Sequence, residues 1–245
     1  MRIILVHGAW AGPWVWDGMR AEWGDRTGIS APDLRTDPAT DDTDLVARIV
    51  AEIDSASRPA LLVAHSGGAA LALSAAEQRT GTVRGLVSIA GITPTPGCDF
   101  GDLLAELDLD LSVGIGSYLD RTPDGYVVPP EAAAAVFFHD AEPADAVRSA
   151  RRMVPQSAGA LSHRARWTPG GAGRLPHLYI EATLDRTVPL NVQRHLHRSA
   201  GIDEVATVCG GHALPLVHPR RLVQLITRFD SAITPTDTNR KAAHA

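Results

Sequence analysis

Three side chains offer most of the chemistry in this sequence: a serine, an aspartate and a histidine, each just after a short apolar run. Ser66 lies in "ALLVAHSGGAALALSAAEQ", between such a run and a stretch with helical apolar spacing. A serine at a sharp strand-to-helix turn is held in a strained backbone conformation that pushes its hydroxyl clear of the fold. It needs small neighbours, because strand and helix approach closely there. The stretch nearly spells G-x-S-x-G: Gly68 supplies one small residue, and Ala64 stands at the other position with only a methyl group. The N–H of Gly67, free at the start of the following helix, would help to stabilise an oxyanion. Taken alone, a glycine-rich turn after a strand is equally compatible with phosphate binding. The chain has no GxxxxGK[ST] or GxGxxG pattern, which weakens that alternative without deciding the matter.

An activated serine needs a base within hydrogen-bond reach and an acid that holds the base in the right tautomer. "HLYIEATLDRTVP" places Asp185 in a loop after an apolar run, and "EVATVCGGHALPLVHP" places His212 in a glycine-rich loop after another. The order Ser66, Asp185, His212 is the one expected when the acid and the base emerge after later strands of a doubly wound sheet than the serine does. Each has a blander role open to it. Asp185 could simply cap the helix that starts near Pro189, and His212 is one of ten histidines. His218 is a rival base, but "VHPRR" reads as the N-terminal boundary of the last helix, facing away from Ser66. Glu181 is a rival acid, but it lies inside a strand pattern. A second oxyanion donor is expected from the loop after the first strand, where "ILVHGAW" turns at Gly8 and the N–H of Ala9 could point at the substrate oxygen.

The elements that must position these residues are legible in the apolar spacing. Buried strands are expected at residues 3–6, 60–64, 85–90, 178–182 and 205–208, with a weaker one near residue 29. Helices are expected at residues 14–23, 45–53, 69–78, 190–197 and 220–229. Strand and helix alternate, which predicts an α/β fold with a doubly wound, mostly parallel sheet whose ligands bind beyond the carboxyl ends of the strands. The interval from Ala90 to Leu178 is far longer than one crossover needs. "LLAELDLDLS", "PPEAAAAVFFHD" and "PADAVRSARRMV" read as short helices within it, so an inserted helical lid is expected over residues 94–167. The core is then residues 1–93 and 168–233, and the polar residues 234–245 read as a flexible tail.

Composition narrows the partner. The chain has 245 residues, 44% of them apolar, enough for one sizeable core. A net charge of -5 provides no basic surface for nucleic acid, and no Lys/Arg cluster suggests a membrane surface. The apolar run before His7 is too short for a signal peptide or a membrane span, so cytoplasmic residence is expected. Cys98 and Cys209 lack the number and spacing of a disulfide framework or zinc site and read as ordinary buried or half-buried thiols. The expected partner is a small molecule; the chemistry asks for no metal and no organic cofactor.

The motifs "LVHGAWAGPWVWDGM", "LLVAHSGGAALA", "YIEATLDRTVP" and "GGHALPLVHP" together resemble the α/β-hydrolase superfamily, specifically its small branch of plant-type methylesterases, hydroxynitrile lyases and bacterial relatives. The likeness runs from Leu5 to Pro219. It implies an α/β-hydrolase fold with Ser66 as nucleophile, His212 as base, Asp185 as its orienting acid and the N–H groups of Ala9 and Gly67 as oxyanion hole. "AVFFHDAEPADAVRSARRMVPQSAGALS" is similar to the lid of bacterial members and implies Phe138, His139 and Trp167 as pocket residues. Trp10, near the first loop, suggests an apolar pocket for a small aromatic or alicyclic acyl group, although tryptophans so spaced with Trp14 and Trp16 commonly build core. Lyases of this branch usually carry threonine after the first-strand histidine and lysine after the catalytic one. Gly8 and Ala213 stand there instead, so no cation is available beside the base for a departing cyanide, and hydrolysis of an ester or thioester is expected. An acyltransferase, lyase or cyclase of specialised metabolism and a low-turnover receptor remain the alternatives.

Overall fold

The computed structural model describes residues 2–26, 28–109 and 114–233. The chain opens with β1 (Ile3–Val6), whose four apolar residues are all buried. A 3-10 turn at Pro13–Trp16 leads into α1 (Asp17–Trp23), then β2 (Ile29–Ser30) and α2 (Asp42–Asp54). Asp41 starts α2 as a capping box, accepting from the N–H groups of Thr43 and Asp44 while Asp44 reaches back. β3 (Ala60–His65), α3 (Gly68–Gln78) and β4 (Val83–Ile89) follow.

The insertion then contributes α4 (Phe100–Glu106), β5 (Asp120–Thr122), β6 (Gly125–Val127), α5 (Pro130–Val136), α6 (Pro143–Ala150) and α7 (Ala158–Leu161). The chain returns to the core with β7 (His177–Ala182), α8 (Leu190–Ser199), β8 (Glu204–Val208), α9 (Leu214–Val217) and α10 (Pro219–Ile233).

Six strands form one parallel sheet in the order β2-β1-β3-β4-β7-β8. The period of two along each strand sorts the apolar residues onto its faces. Ile4, Val6, Leu62 and Ala64 pack with α2 and α3 residues such as Ile49 and Leu73. Ile3, Leu5, Leu61 and Val63 pack with Trp16 and Met19 and with Leu222, Ile226 and Phe229 of α10. Because both faces are covered, the central strands are continuous apolar runs, and the three candidate residues all emerge beyond the carboxyl ends of strands of this sheet.

Three expectations need correction. The helix expected at residues 14–23 begins as a 3-10 turn, because Pro13 starts it and α1 takes over only at Asp17. β8 is an edge strand with Glu204, Val205 and Thr207 exposed, so it is not the fully buried strand its composition suggested. The insertion is not purely helical: "DRTPDGYV" folds as the antiparallel β5-β6 hairpin, for which Pro-Asp-Gly was the available turn signal.

The helix read in "LLAELDLDLS" ends at Glu106, and the last residues of that stretch, like the tail at 234–245, lie outside the described residues. Cys98 is half-buried as expected, whereas Cys209, expected to be buried or half-buried, is exposed just past the end of the edge strand β8; both are free. Among the described residues, no helix is long and apolar enough to cross a membrane.

Candidate active site

β3 ends at His65 and α3 begins at Gly68, leaving two residues for a reversal of chain direction. Ser66 makes the turn with φ 53, a region that costs a non-glycine residue about 1–3 kcal/mol. The surroundings hold it there. Its N–H donates to the Ile89 carbonyl at 3.1 Å, and its carbonyl accepts from the N–H groups of Ala69 (3.0 Å) and Ile92 (2.9 Å). Gly68 is required by close approach: a Cβ there would lie 2.6 Å from the His7 carbonyl oxygen and 2.8 Å from that of Val6. Ala64 makes no such demand, since it sits in the sheet opposite Val6 and Ser88 and belongs to the core cluster shared with α2 and α3. The core absorbs the extra methyl, and the turn forms beside it.

Asp185 and His212 meet at 2.7 Å, Oδ2 to Nδ1, with both side chains almost wholly buried. The other carboxylate oxygen of Asp185, Oδ1, accepts from the N–H groups of Thr187 (2.7 Å) and Val188 (2.9 Å). Asp185 therefore organises its own loop and contacts the histidine at once. Gln193, which the sequence reading missed, reinforces that loop from α8: its amide donates to the carbonyls of Ala182 and Val188 at 3.0 and 2.7 Å and to Asp185 Oδ2 at 3.3 Å.

Nε2 of His212 is buried and has no hydrogen-bond partner among the described residues. It and the Ser66 hydroxyl do not hydrogen-bond to each other, although Ser66 and His212 line the same small cavity.

Two further histidines shape the site, and neither follows from spacing alone. His65 donates from Nε2 to the His212 carbonyl at 2.8 Å, with the two rings 4.7 Å apart. Burial, aided by nearby His212, pushes its pKa down to about 3, which keeps it a neutral donor. His7 donates from Nδ1 to the Gly8 carbonyl and accepts at Nε2 from the Leu34 N–H, each at 2.9 Å, and burial lowers its pKa to about 4. It ties the first loop to the segment after β2.

The rivals lie elsewhere. His218 lines a separate surface hollow with Arg220 and Arg221. Glu181 is occupied by Arg194, His197 and Thr207.

Ser66 stands in the walls of two cavities. The larger, about 270 Å³, is mostly apolar, with Leu71, Ile92, Leu104 and Ile115 among its lining residues. The smaller, about 30 Å³, is lined by His65, Phe137, Phe138, Met153, His212 and Ala213. Ala9 and Gly67 border the larger cavity, and neither N–H donates to any group among the described residues.

Trp10 also lines the larger cavity, while its Nε1 donates to the Tyr126 carbonyl at 3.0 Å and its N–H to Gln156 Oε1 at 3.1 Å. Phe138 lines the smaller one. His139 and Trp167, expected as pocket residues, line neither. His139 reaches the Leu184 carbonyl at 2.9 Å, and Trp167 packs in the core with its indole N–H on the Pro94 carbonyl at 3.0 Å. Phe137, missed beside Phe138, packs 5.3 Å from the His212 ring.

A model described as the alpha/beta hydrolase family matches residues 3–225. No curated protein matches the sequence. Among solved structures, a pyrethroid hydrolase from Sphingobium faniae JZ-2 is 21% identical with a TM-score of 0.78, over 95% of this chain and 98% of that one. Polyneuridine aldehyde esterase is 17% identical with a TM-score of 0.78, over 94% and 98%. Tomato methylketone synthase I, complexed with 2-tridecanone, is 17% identical with a TM-score of 0.82, over 95% and 98%. At these identities the likeness establishes the fold alone.

Proposed function

The chain belongs to the alpha/beta hydrolase family, and from that premise we propose that it is a serine esterase acting on a small, largely apolar carboxylic ester or thioester. The observation that carries the reading is the buried, unpartnered Nε2 of His212, oriented through Nδ1 by Asp185 at 2.7 Å, in the cavity wall that also carries Ser66. Nε2 takes the hydroxyl proton as Ser66 Oγ attacks the carbonyl carbon. Charge on the carbonyl oxygen falls to the free N–H groups of Ala9 and Gly67, which border the larger cavity that Ser66 also lines. The tetrahedral intermediate collapses, Nε2 gives its proton to the leaving oxygen of an ester or sulfur of a thioester, and an acyl-serine remains. Water then attacks the acyl carbonyl as Nε2 takes its proton, and the second tetrahedral intermediate breaks its bond to Ser66 Oγ, which recovers that proton as the acid leaves.

The two cavities bear on substrate shape. The leaving group receives its proton from His212 and so belongs in the small cavity, which suits an alcohol of one or two carbons. The acyl part belongs in the larger, apolar one, beneath the insertion acting as a lid. With Ala213 where a lysine would stand in a lyase, that small cavity has no cation beside His212 among the described residues.

Ser66→Ala is expected to abolish ester hydrolysis and covalent labelling by a fluorophosphonate. Undiminished labelling of the folded variant would overturn the assignment. Acyl transfer to added alcohols or amines in place of hydrolysis would redirect it to an acyltransferase. Failure on every ester would promote a receptor or non-hydrolytic reading.

A further inference from the structure

The turn between α5 and α6 carries two adjacent polar side chains that both leave the insertion and reach the loops bearing Asp185 and His212. His139 donates from Nε2 to the carbonyl of Leu184, the residue before Asp185, at 2.9 Å. Asp140 accepts at Oδ2, 2.5 Å away, from the N–H of Gly211, the residue before His212. A third contact runs the other way, from Arg186 Nη1 to the Ala135 carbonyl of α5 at 3.1 Å. The two loops also meet directly, the Leu184 N–H donating to the Gly210 carbonyl at 2.9 Å.

Gly211 makes this convergence sterically possible. A Cβ on it would stand 2.6 Å from Asp140 Oδ1 and 2.7 Å from His139 Nε2, so any other residue would push both side chains off.

We propose that His139 and Asp140 form a latch by which the insertion holds the aspartate and histidine loops in register, making both positioning residues for the reaction. The inference rests on the reading of Asp185 and His212 as acid and base.

The physical argument is one of tolerance. The loops after β7 and β8 enter the site from neighbouring strands, and β8 is the exposed edge of the sheet, supported on one side only. A productive proton transfer needs Nε2 placed to within a fraction of an ångström. His65 fastens the base loop at the His212 carbonyl from the β3 side, and Asp140 fastens it at the Gly211 N–H from the insertion side. Backbone groups on either side of the imidazole are thus tied to different elements. The Asp140 bond is charge-assisted and short, and so fixes position more tightly than a neutral contact.

The test uses Asp140→Ala, Asp140→Asn and His139→Ala in the full chain, with near-ultraviolet circular dichroism to establish folding. Asp140→Ala is expected to lower kcat about tenfold to a hundredfold while KM stays within about twofold, the pattern of a lost transition-state placement. Asn retains an acceptor for the Gly211 N–H, so Asp140→Asn should recover most of the rate. His139→Ala should show the same kcat-weighted loss and serves if Asp140→Ala does not fold.

A second readout does not depend on ester hydrolysis. The low-field proton resonance of the His212–Asp185 hydrogen bond should broaden or vanish in Asp140→Ala and persist in Asp140→Asn. An unchanged resonance and unchanged kcat in folded Asp140→Ala, or an Asn variant as slow as the Ala one, would overturn the latch. If Ser66→Ala kept full activity while the resonance still responded, the nucleophile assignment would fall and the latch would stand.

Discussion

On the proposed mechanism, Asp185→Asn separates the catalytic from the structural role of this carboxylate, because the structure decides which way the new amide must face. Oδ1 accepts two buried backbone N–H groups, from Thr187 and Val188 at 2.7 and 2.9 Å. Turning an NH2 toward them would leave both unpaired, at about 1–3 kcal/mol each. The oxygen therefore stays at Oδ1 and the NH2 takes the Oδ2 position, facing His212 Nδ1 and Gln193 Nε2. Opposing the Gln193 donor at 3.3 Å costs about 1 kcal/mol, so the protein should fold with a nearly unchanged melting temperature.

His212, however, must now accept at Nδ1, which moves its proton to Nε2 and leaves no lone pair to take the proton of Ser66. The wrong tautomer and the lost stabilisation of the imidazolium together amount to about 5 kcal/mol, or roughly 10⁴ in kcat. Initial rates on a chromogenic ester, with circular dichroism on the same preparation, measure both halves. A folded Asp185→Asn enzyme within about tenfold of the parent kcat would refute the tautomer argument.

Two other outcomes are expected. With the acyl group held constant, kcat/KM should fall by roughly tenfold or more as the alcohol lengthens from methyl to butyl, because the small cavity of about 30 Å³ cannot take the added carbons; a flat series would refute the assignment of that cavity to the leaving group. Acid should destabilise the fold through His7, whose pKa is held near 4 when folded against an ordinary 6.5. The unfolded chain then binds the extra proton, so this contribution is complete above the ordinary value and is lost as pH falls toward the folded one, by about 2 kcal/mol at roughly pH 5. His65 acts in the same sense. Urea unfolding at about pH 7 and about pH 5 measures the loss, and equal stability at both would contradict neutral buried histidines.

Much of this molecule was written in its local sequence. Apolar runs such as "ALLVA" and the helical spacing of "GGAALALSAAEQ" imply the strand and helix that bracket Ser66, because each pattern buries its apolar side in only one regular conformation. The placing of Ser66, Asp185 and His212 just after strands followed from the same patterning, since a parallel sheet delivers all its strand ends to one edge.

The insertion was far less legible. Its elements are short, its hairpin has three residues per strand, and its side chains answer to distant partners. "FFHD" names two aromatics and two polar residues but not which pair lines a cavity and which grips a loop. Phe137 and Phe138 turn inward, whereas His139 and Asp140 reach residues 184 and 211, a choice made by tertiary packing alone. Trp167 is core for the same reason.

The significance of Ala64 was likewise a question the sequence could pose but not answer, because it depended on what lay across the methyl. The sequence by itself determined the sheet, its flanking helices and the strand ends from which the candidate residues emerge, since these follow from short-range periodicity. Only the tertiary structure decided what those residues touch, because contacts between segments a hundred residues apart depend on where backbone atoms come close, and no local pattern records that.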